Sequence, residues 1–317
     1  MIPVDVQYPV ISDTNRTEEE NSWLLRQTDL MSEKEKILFN GAMELQRPQT
    51  MAQVINLAAQ LDCFEALYPA GNRRELGRFV AKYMREEYGE FCHLSKKDVG
   101  AIYQKGRFGA FVPINTCEGR GAYVTQETPL RPLYDGENLE ELMREDYRVR
   151  VQLSSPDCPE GVWVCLPDHS SVNGDLPDEL AIALDSLDAV DLEECTLLEA
   201  QCSLPGLDDI TGQYEGDLEK LIRDGNNLGF VLEEQWQGAP HAMEQFLAAL
   251  EYEDCTRLDA ALDISQNLGC YDFLPLGTEQ AGADPEMQAT EHGHIRRNGR
   301  SFFYEHSQPP QGPELGM

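Results

Sequence analysis

Apolar positions recur at helical spacing over residues 32–67, SEKEKILFNGAMELQRPQTMAQVINLAAQLDCFEAL. Ser32 and Glu35 have the spacing of a capping box, which predicts a helix start. Pro48 and Thr50 predict a break and a second helix. The polar residues 1–30 are expected to form an extended lead-in. Tyr68-Pro69-Ala70-Gly71-Asn72 reads as a turn, and Arg74–Tyr88 as another helix. Over 96–126 a short helix precedes glycine-punctuated aromatic segments, which predicts a small antiparallel sheet. Residues 128–147, rich in Pro, Gly and acids, read as a linker with a short helix around Asn138–Glu145.

At residue 148 the period changes. RVRVQLSS alternates and reads as a strand, GVWVCLP as a second strand, LPDELAIALDSL as a helix and ECTLLEAQC as a third strand. That is a ββαβ unit. Residues 213–236 and 239–274 return to helical spacing. The fold class is α+β: an elongated, multi-module chain with two related helical modules and small antiparallel β-containing modules.

The relation between the modules is an internal repeat at an offset of 207 residues. Residues 36–67 align without gaps to 243–274. Phe39 matches Phe246, Ala42 matches Ala249, Glu44 matches Glu251, Leu61 matches Leu268, Cys63 matches Cys270 and Leu67 matches Leu274. The expected organisation is a lead-in at 1–31, a helical module at 32–92, a small α+β module at 93–127 and a linker at 128–147. The ββαβ module follows at 148–204, then an acidic helical module at 205–290 and a C-terminal tail at 291–317.

Charge sharpens this division. The 317 residues carry 57 Asp and Glu against 25 Lys and Arg, a net charge of −32. Residues 1–150 hold 24 acids and 19 bases, whereas residues 151–290 hold 30 acids and three bases, Lys220, Arg223 and Arg257. Self-repulsion of this size costs stability, and a phosphate backbone would be repelled. Direct nucleic-acid binding is therefore not expected, and a basic partner is. A salt-adapted protein would be acidic throughout, unlike the first 150 residues.

Nine cysteines at irregular spacing, with no C-x-x-C pair, read as reduced core residues of a cytoplasmic protein. The N-terminus lacks a secretory signal pattern. No segment approaches the ~20 apolar residues of a membrane helix.

Catalytic signatures are absent. Cys92 and His93 are adjacent, and adjacent side chains diverge on regular elements. His292-Gly293-His294 reads as a polar turn. There is no calcium loop, P-loop or G-x-G-x-x-G. No cofactor or metal is expected, and the chain is read as a non-enzyme.

Residues 184–209, LDSLDAVDLEECTLLEAQCSLPGLDD, combine eight carboxylates with core-like leucines and no cation. Rows of carboxylates on regular elements can approximate a phosphate ladder, which in duplex DNA carries one charge per ~1.7 Å of axis.

Residues 193–234, EECTLLEAQCSLPGLDDITGQYEGDLEKLIRDGNNLGFVLEE, resemble the ArdA-type antirestriction proteins of plasmids and conjugative elements. Glu199-Ala200-Gln201, Gln213-Tyr214-Glu215 and Asn227-Leu228 stand where that family has a D-Y-E-like step, an E-Y turn and an L-N pair. GVWVCLPDHSSVNGDLPDELAIAL is similar to the family's first strand and helix, without its A-N-L-x-x-Y-N-x-G opening. VINLAAQLDCFEALYPAGNRRELGRFVAKYM resembles its middle helical region. DVGAIYQKGRFGAFVPINTCEGRGAYV resembles its last small domain, with Tyr103, Gly106 and Arg107 at a Y-x-x-x-G-R step. The similarity covers roughly 32–126 and 148–277, with diverged motifs and rearranged order.

The resemblance implies an elongated, usually dimeric, non-catalytic protein whose acids mimic bent DNA. It would occupy the basic DNA-binding channel of a Type I restriction–modification enzyme or a related defence enzyme. The surface acids it implies are Asp191, Glu193, Glu194, Glu199, Asp208, Asp209, Glu215, Asp217, Glu219, Asp224, Glu233 and Glu234. The alternative reading is a non-catalytic structural or adaptor protein of a mobile genetic element, binding other proteins through its helices.

Overall fold

The computed structural model describes residues 17–84, 93–115, 120–142, 147–168, 178–232, 241–277 and 286–300. The chain is α+β and divides into two units, residues 1–200 and 201–317.

In the first unit, α1 (Glu18–Leu30), α2 (Glu33–Gln46) and α3 (Met51–Ala58) each begin at a capping box: Thr17 with Glu20, Ser32 with Glu35, and Thr50 with Gln53. Residues 18–30 are thus a helix, not the extended lead-in expected for 1–31. Trp23 and Leu24 drive α1 into the core although its other side is polar, and Trp23 is fully buried. Residues 1–16 lie outside the described residues.

After a 3-10 turn at Leu61–Cys63 comes β1 (Phe64–Leu67), then α4 (Arg73–Tyr83), α5 (Lys96–Gly106), β2 (Gly109–Asn115) and β3 (Arg120–Gln126). The strands form an antiparallel sheet in the order β1-β3-β2. The boundary drawn at 92/93 therefore falls inside one sheet. Trp23, Phe39, Ile55, Leu61 and Val124 share the main core. Gly41 permits the approach of α2 to β3, because a Cβ there would strike the Val124 side chain.

The ββαβ unit forms as predicted: β4 (Val149–Ser155), β5 (Cys158–Leu166), α6 (Asp178–Leu187) and β6 (Thr196–Cys202), with sheet order β5-β4-β6. α6 also packs on α2, and Ile182 joins the main core. Within the expected linker, residues 131–134 are strapped down. The Asn56 carboxamide oxygen accepts from Leu133 N and Tyr134 N at 2.6 and 3.1 Å. Gln60 accepts from Arg131 N and donates to its carbonyl, both at 2.8 Å. Of the helix expected around 138–145, a 3-10 turn at Glu140–Leu142 is present, and residues 143–146 lie outside the described residues.

In the second unit, α7 (Leu218–Phe230), α8 (Ala242–Tyr252) and α9 (Leu258–Gln266) precede a 3-10 turn at Leu268–Cys270 and β7 (Tyr271–Pro275). Strands β8 (Gln288–Thr290) and β9 (Gly293–Arg297) complete an antiparallel sheet in the order β7-β9-β8. The segment expected as a tail from 291 thus supplies the central strand, with Ile295 fully buried.

The repeat extends to backbone detail. Both copies run helix, helix, 3-10 turn, strand, with that strand paired to the last strand of a three-stranded sheet. Arg47 and Asp254, 207 residues apart, both take left-handed conformations, with φ of 47° and 50°. The Gln60 amide donates to the Asn56 carbonyl at 2.9 Å, and the equivalent Asn267 donates to Asp263 at 2.7 Å. Cys63 and Cys270 are both buried, and their carbonyls accept from Glu127 N at 2.9 Å and Asn298 N at 3.0 Å.

Candidate acidic interaction surface

Apart from Glu199 on β6, the acids of 191–219 occupy connections and helix starts, not rows along regular elements. In the first unit, Asp191 caps the 3-10 turn Leu192–Glu194, accepting from Glu193 N at 3.0 Å. Glu194 folds back to accept from Val190 N at 2.8 Å. These bonds fix the backbone and leave Asp191, Glu193 and Glu194 exposed. Glu199 is half-buried on β6.

In the second unit, Leu204, Leu207, Ile210 and Tyr214 are buried and anchor a turn-rich segment. Gln213 fastens it further, donating to the Thr256 carbonyl and accepting from Leu258 N, both at 2.8 Å. The intervening Asp208, Asp209 and Glu215 face solvent. Hydrogen bonds from the Thr211 hydroxyl and amide hold the Asp209 carboxyl below its ordinary range. Asp217 is the N-cap of α7, accepting from Lys220 N at 2.9 Å, and Glu219 stands exposed in its first turn, where carboxylates suit the helix dipole.

Eight acids are therefore exposed and make no ion pair among the described residues: Asp191, Glu193 and Glu194 in one unit, Asp208, Asp209, Glu215, Asp217 and Glu219 in the other. No Lys or Arg occurs between Arg150 and Lys220.

Asp224 departs from its expected role as a surface acid. It is buried, accepts from the Tyr214 hydroxyl at 3.1 Å and lies 3.7 Å from Arg223 Nε. Burial raises its carboxyl above the ordinary range, against the Tyr214 hydrogen bond and Arg223. Helical spacing puts it beside Leu221 and Leu228, on the face that α7 turns inward. Glu233 and Glu234 lie outside the described residues.

Other acids of the second unit are consumed internally. Arg297 grips Glu253 with two bonds of 2.6 and 2.7 Å, Arg257 pairs with Asp259 at 2.7 Å, and Arg296 with Asp272 at 3.1 Å. The hydrogen bonds and charge of Arg257 hold Asp259 below its ordinary range, against its partial burial. Sequence counting treats all these acids alike.

Burial pushes the Cys158, Cys165, Cys195 and Cys255 thiols up, away from the thiolate a nucleophile needs. Among the described residues no group of three or more His, Cys, Asp or Glu is placed to hold a metal ion, and no helix is long and apolar enough to cross a membrane. Cys92 lies outside the described residues. Comparison with family models, curated proteins and solved structures gave no match.

Proposed function

We propose that this protein is an acidic DNA mimic that acts as an antirestriction protein, occupying the DNA-binding channel of a Type I restriction–modification enzyme or a related defence enzyme. One observation carries the reading: eight exposed carboxylates within residues 191–219 make no ion pair among the described residues, in a stretch without a single cation. Two of them, Asp191 and Asp217, are also fixed as caps. Unpaired acids held by a folded scaffold repel one another, a cost that a basic partner removes.

Binding would exchange the counterions of a basic channel for protein carboxylates, as DNA exchanges them for phosphates. No chemical step is required. The test is a competition titration of a Type I restriction–methylation complex holding labelled duplex DNA. Displacement at low salt that fades as salt rises is the expected result. Failure to displace DNA from such enzymes at low salt would overturn the reading. Binding to another protein that persists in about 0.5 M salt, where the Debye length is about 4–5 Å, would favour an adaptor instead.

A further inference from the structure

The α4–α5 hairpin reverses the charge of the protein around it. Arg74, Arg78, Lys96, Lys97 and Lys105 are exposed, and none makes an ion pair among the described residues. With 57 acids in the chain, this is not a shortage of available partners. The two carboxylates within these helices are turned to local backbone and cap groups. Glu75 accepts from Gly71 N at 3.0 Å, and Asp98 accepts from the Ser95 hydroxyl at 2.6 Å.

The helices are built alike. RRELG opens α4 and KKDVG opens α5, each after a side-chain N-cap, Asn72 or Ser95. They meet at their glycines. A Cβ on Gly77 would collide with the Lys96 carbonyl oxygen, and one on Gly100 with the Arg73 carbonyl oxygen. These reciprocal contacts make the pair antiparallel and two-fold related, so Arg74 corresponds to Lys97 and Lys82 to Lys105. Leu76 and Val80 of one helix and Val99 and Tyr103 of the other enter the same small core. Positions on the far side of both helices therefore share one outer face, and helical spacing puts Arg74, Arg78, Lys97 and Lys105 there, whereas Lys96 stands at the seam with Val99 and Gly100.

Both helices open with a pair of cations, Arg73-Arg74 and Lys96-Lys97, where the helix dipole already concentrates positive charge. Arg73 is used inside the fold, donating to Gln104 Oε1 at 2.7 Å, whereas Arg74 and Lys97 make no ion pair among the described residues.

We propose that the outer face of the α4–α5 hairpin binds nucleic acid through its phosphate backbone. Arg74, Arg78 and Lys82 recur every four residues, about 6 Å along the helix, close to two phosphate steps of one strand at about 3.4 Å each. Tyr83 lies off this row, on the side of Leu76 and Val80, with its ring 4.8 Å from that of Phe79 and the Lys82 ammonium over it. The even step of this row fits a repeating phosphate strand, whereas the exposed acids of residues 191–219 stand on turns and helix caps, which favours nucleic acid over the acidic half of a second copy. The face is separate from the carboxylates invoked for DNA mimicry, so either property can fail without the other.

The test uses the full chain and fluorescein-labelled DNA of mixed sequence, duplex in one arm and single-stranded in the other. Anisotropy is followed from about 20 to 200 mM salt. Binding is expected at low salt. A variant with Arg74, Arg78, Lys97 and Lys105 all changed to Ala should lose at least about tenfold in affinity, and its salt slope on duplex should flatten by about 3 to 4. A second variant, Arg74→Lys with Arg78→Lys, keeps the charge and should keep most of the binding. The proposal is overturned if the wild-type chain binds neither DNA at the lowest salt, or if a folded four-alanine variant binds like wild type. It also fails if the four substitutions abolish self-association and leave DNA binding unchanged, since the occupant is then a second copy.

Discussion

The Ser32 hydroxyl donates to Glu179 Oε1 at 3.2 Å, joining the N-cap of α2 to the first turn of α6 across 147 residues. Burial of the Glu179 carboxyl pushes it up to about 8, outweighing the opposing pull of Lys34, and Glu35 and Asp168 push the same way. The native protein thus keeps a proton that the unfolded chain releases near its ordinary value. Stability from this group is complete below about 4.5 and is lost as pH rises towards 8. Urea unfolding should show a decline on the order of a few kcal/mol between about pH 5 and pH 8. Glu179→Gln should flatten it. A variant with an unchanged decline would place the titrating group elsewhere.

The Gly77–Gly100 contact leaves no room for a methyl group against backbone. Gly77→Ala and Gly100→Ala should each cost about 1–3 kcal/mol or more by overpacking. Gly106→Ala, at the end of α5 with nothing near its Cβ, should be neutral or stabilising by up to about 1 kcal/mol. Thermal unfolding of the three variants checks the order. Equal effects would mean that the helices can slide apart.

Gln60 holds the 131–134 strap from α3 through both the amide and the carbonyl of Arg131. Gln60→Ala should release it at a cost of about 1–3 kcal/mol, since two hydrogen bonds to the Arg131 backbone are lost. Limited chymotrypsin digestion should then cut faster after Tyr134. An unchanged cutting rate would show that Asn56 alone suffices.

Neutralising Asp191, Glu193, Glu194, Asp208, Asp209 and Glu215 together to their amides should abolish most displacement of DNA from a restriction enzyme at low salt, and single changes should do little. Stability should hold or rise, because like charges are removed while the Asp191 cap survives as Asn. Loss of displacement from one change alone would point to a single critical contact and against distributed mimicry. Asp224→Asn should leave displacement unchanged, because that carboxylate is buried against Tyr214.

Local rules made much of the architecture legible. Ser32 with Glu35 marked a helix start because capping needs only neighbouring residues. RVRVQLSS marked a strand because alternation puts one face inward. The 207-residue repeat was visible in Phe39/Phe246 and Cys63/Cys270 because both pairs fill equivalent cores. α1 was missed because its polar residues outnumber the apolar ones, and Trp23 finds its pocket only among residues distant in sequence. β9 was missed because HIRR reads as polar until β7 and β8 flank it. The basic hairpin was hidden by the net charge of −32, which averages over cations gathered on one face.

The sequence by itself determined where the acids and cations lie along the chain, which segments cap and which segments repeat, since each depends on residues a few positions apart or on direct self-similarity. Tertiary structure alone decided which charges remain unpaired. Burial and ion pairing are set by groups far apart in the chain: Arg297 takes Glu253, Tyr214 takes Asp224, and the eight exposed acids of 191–219 are left with no cation within reach among the described residues.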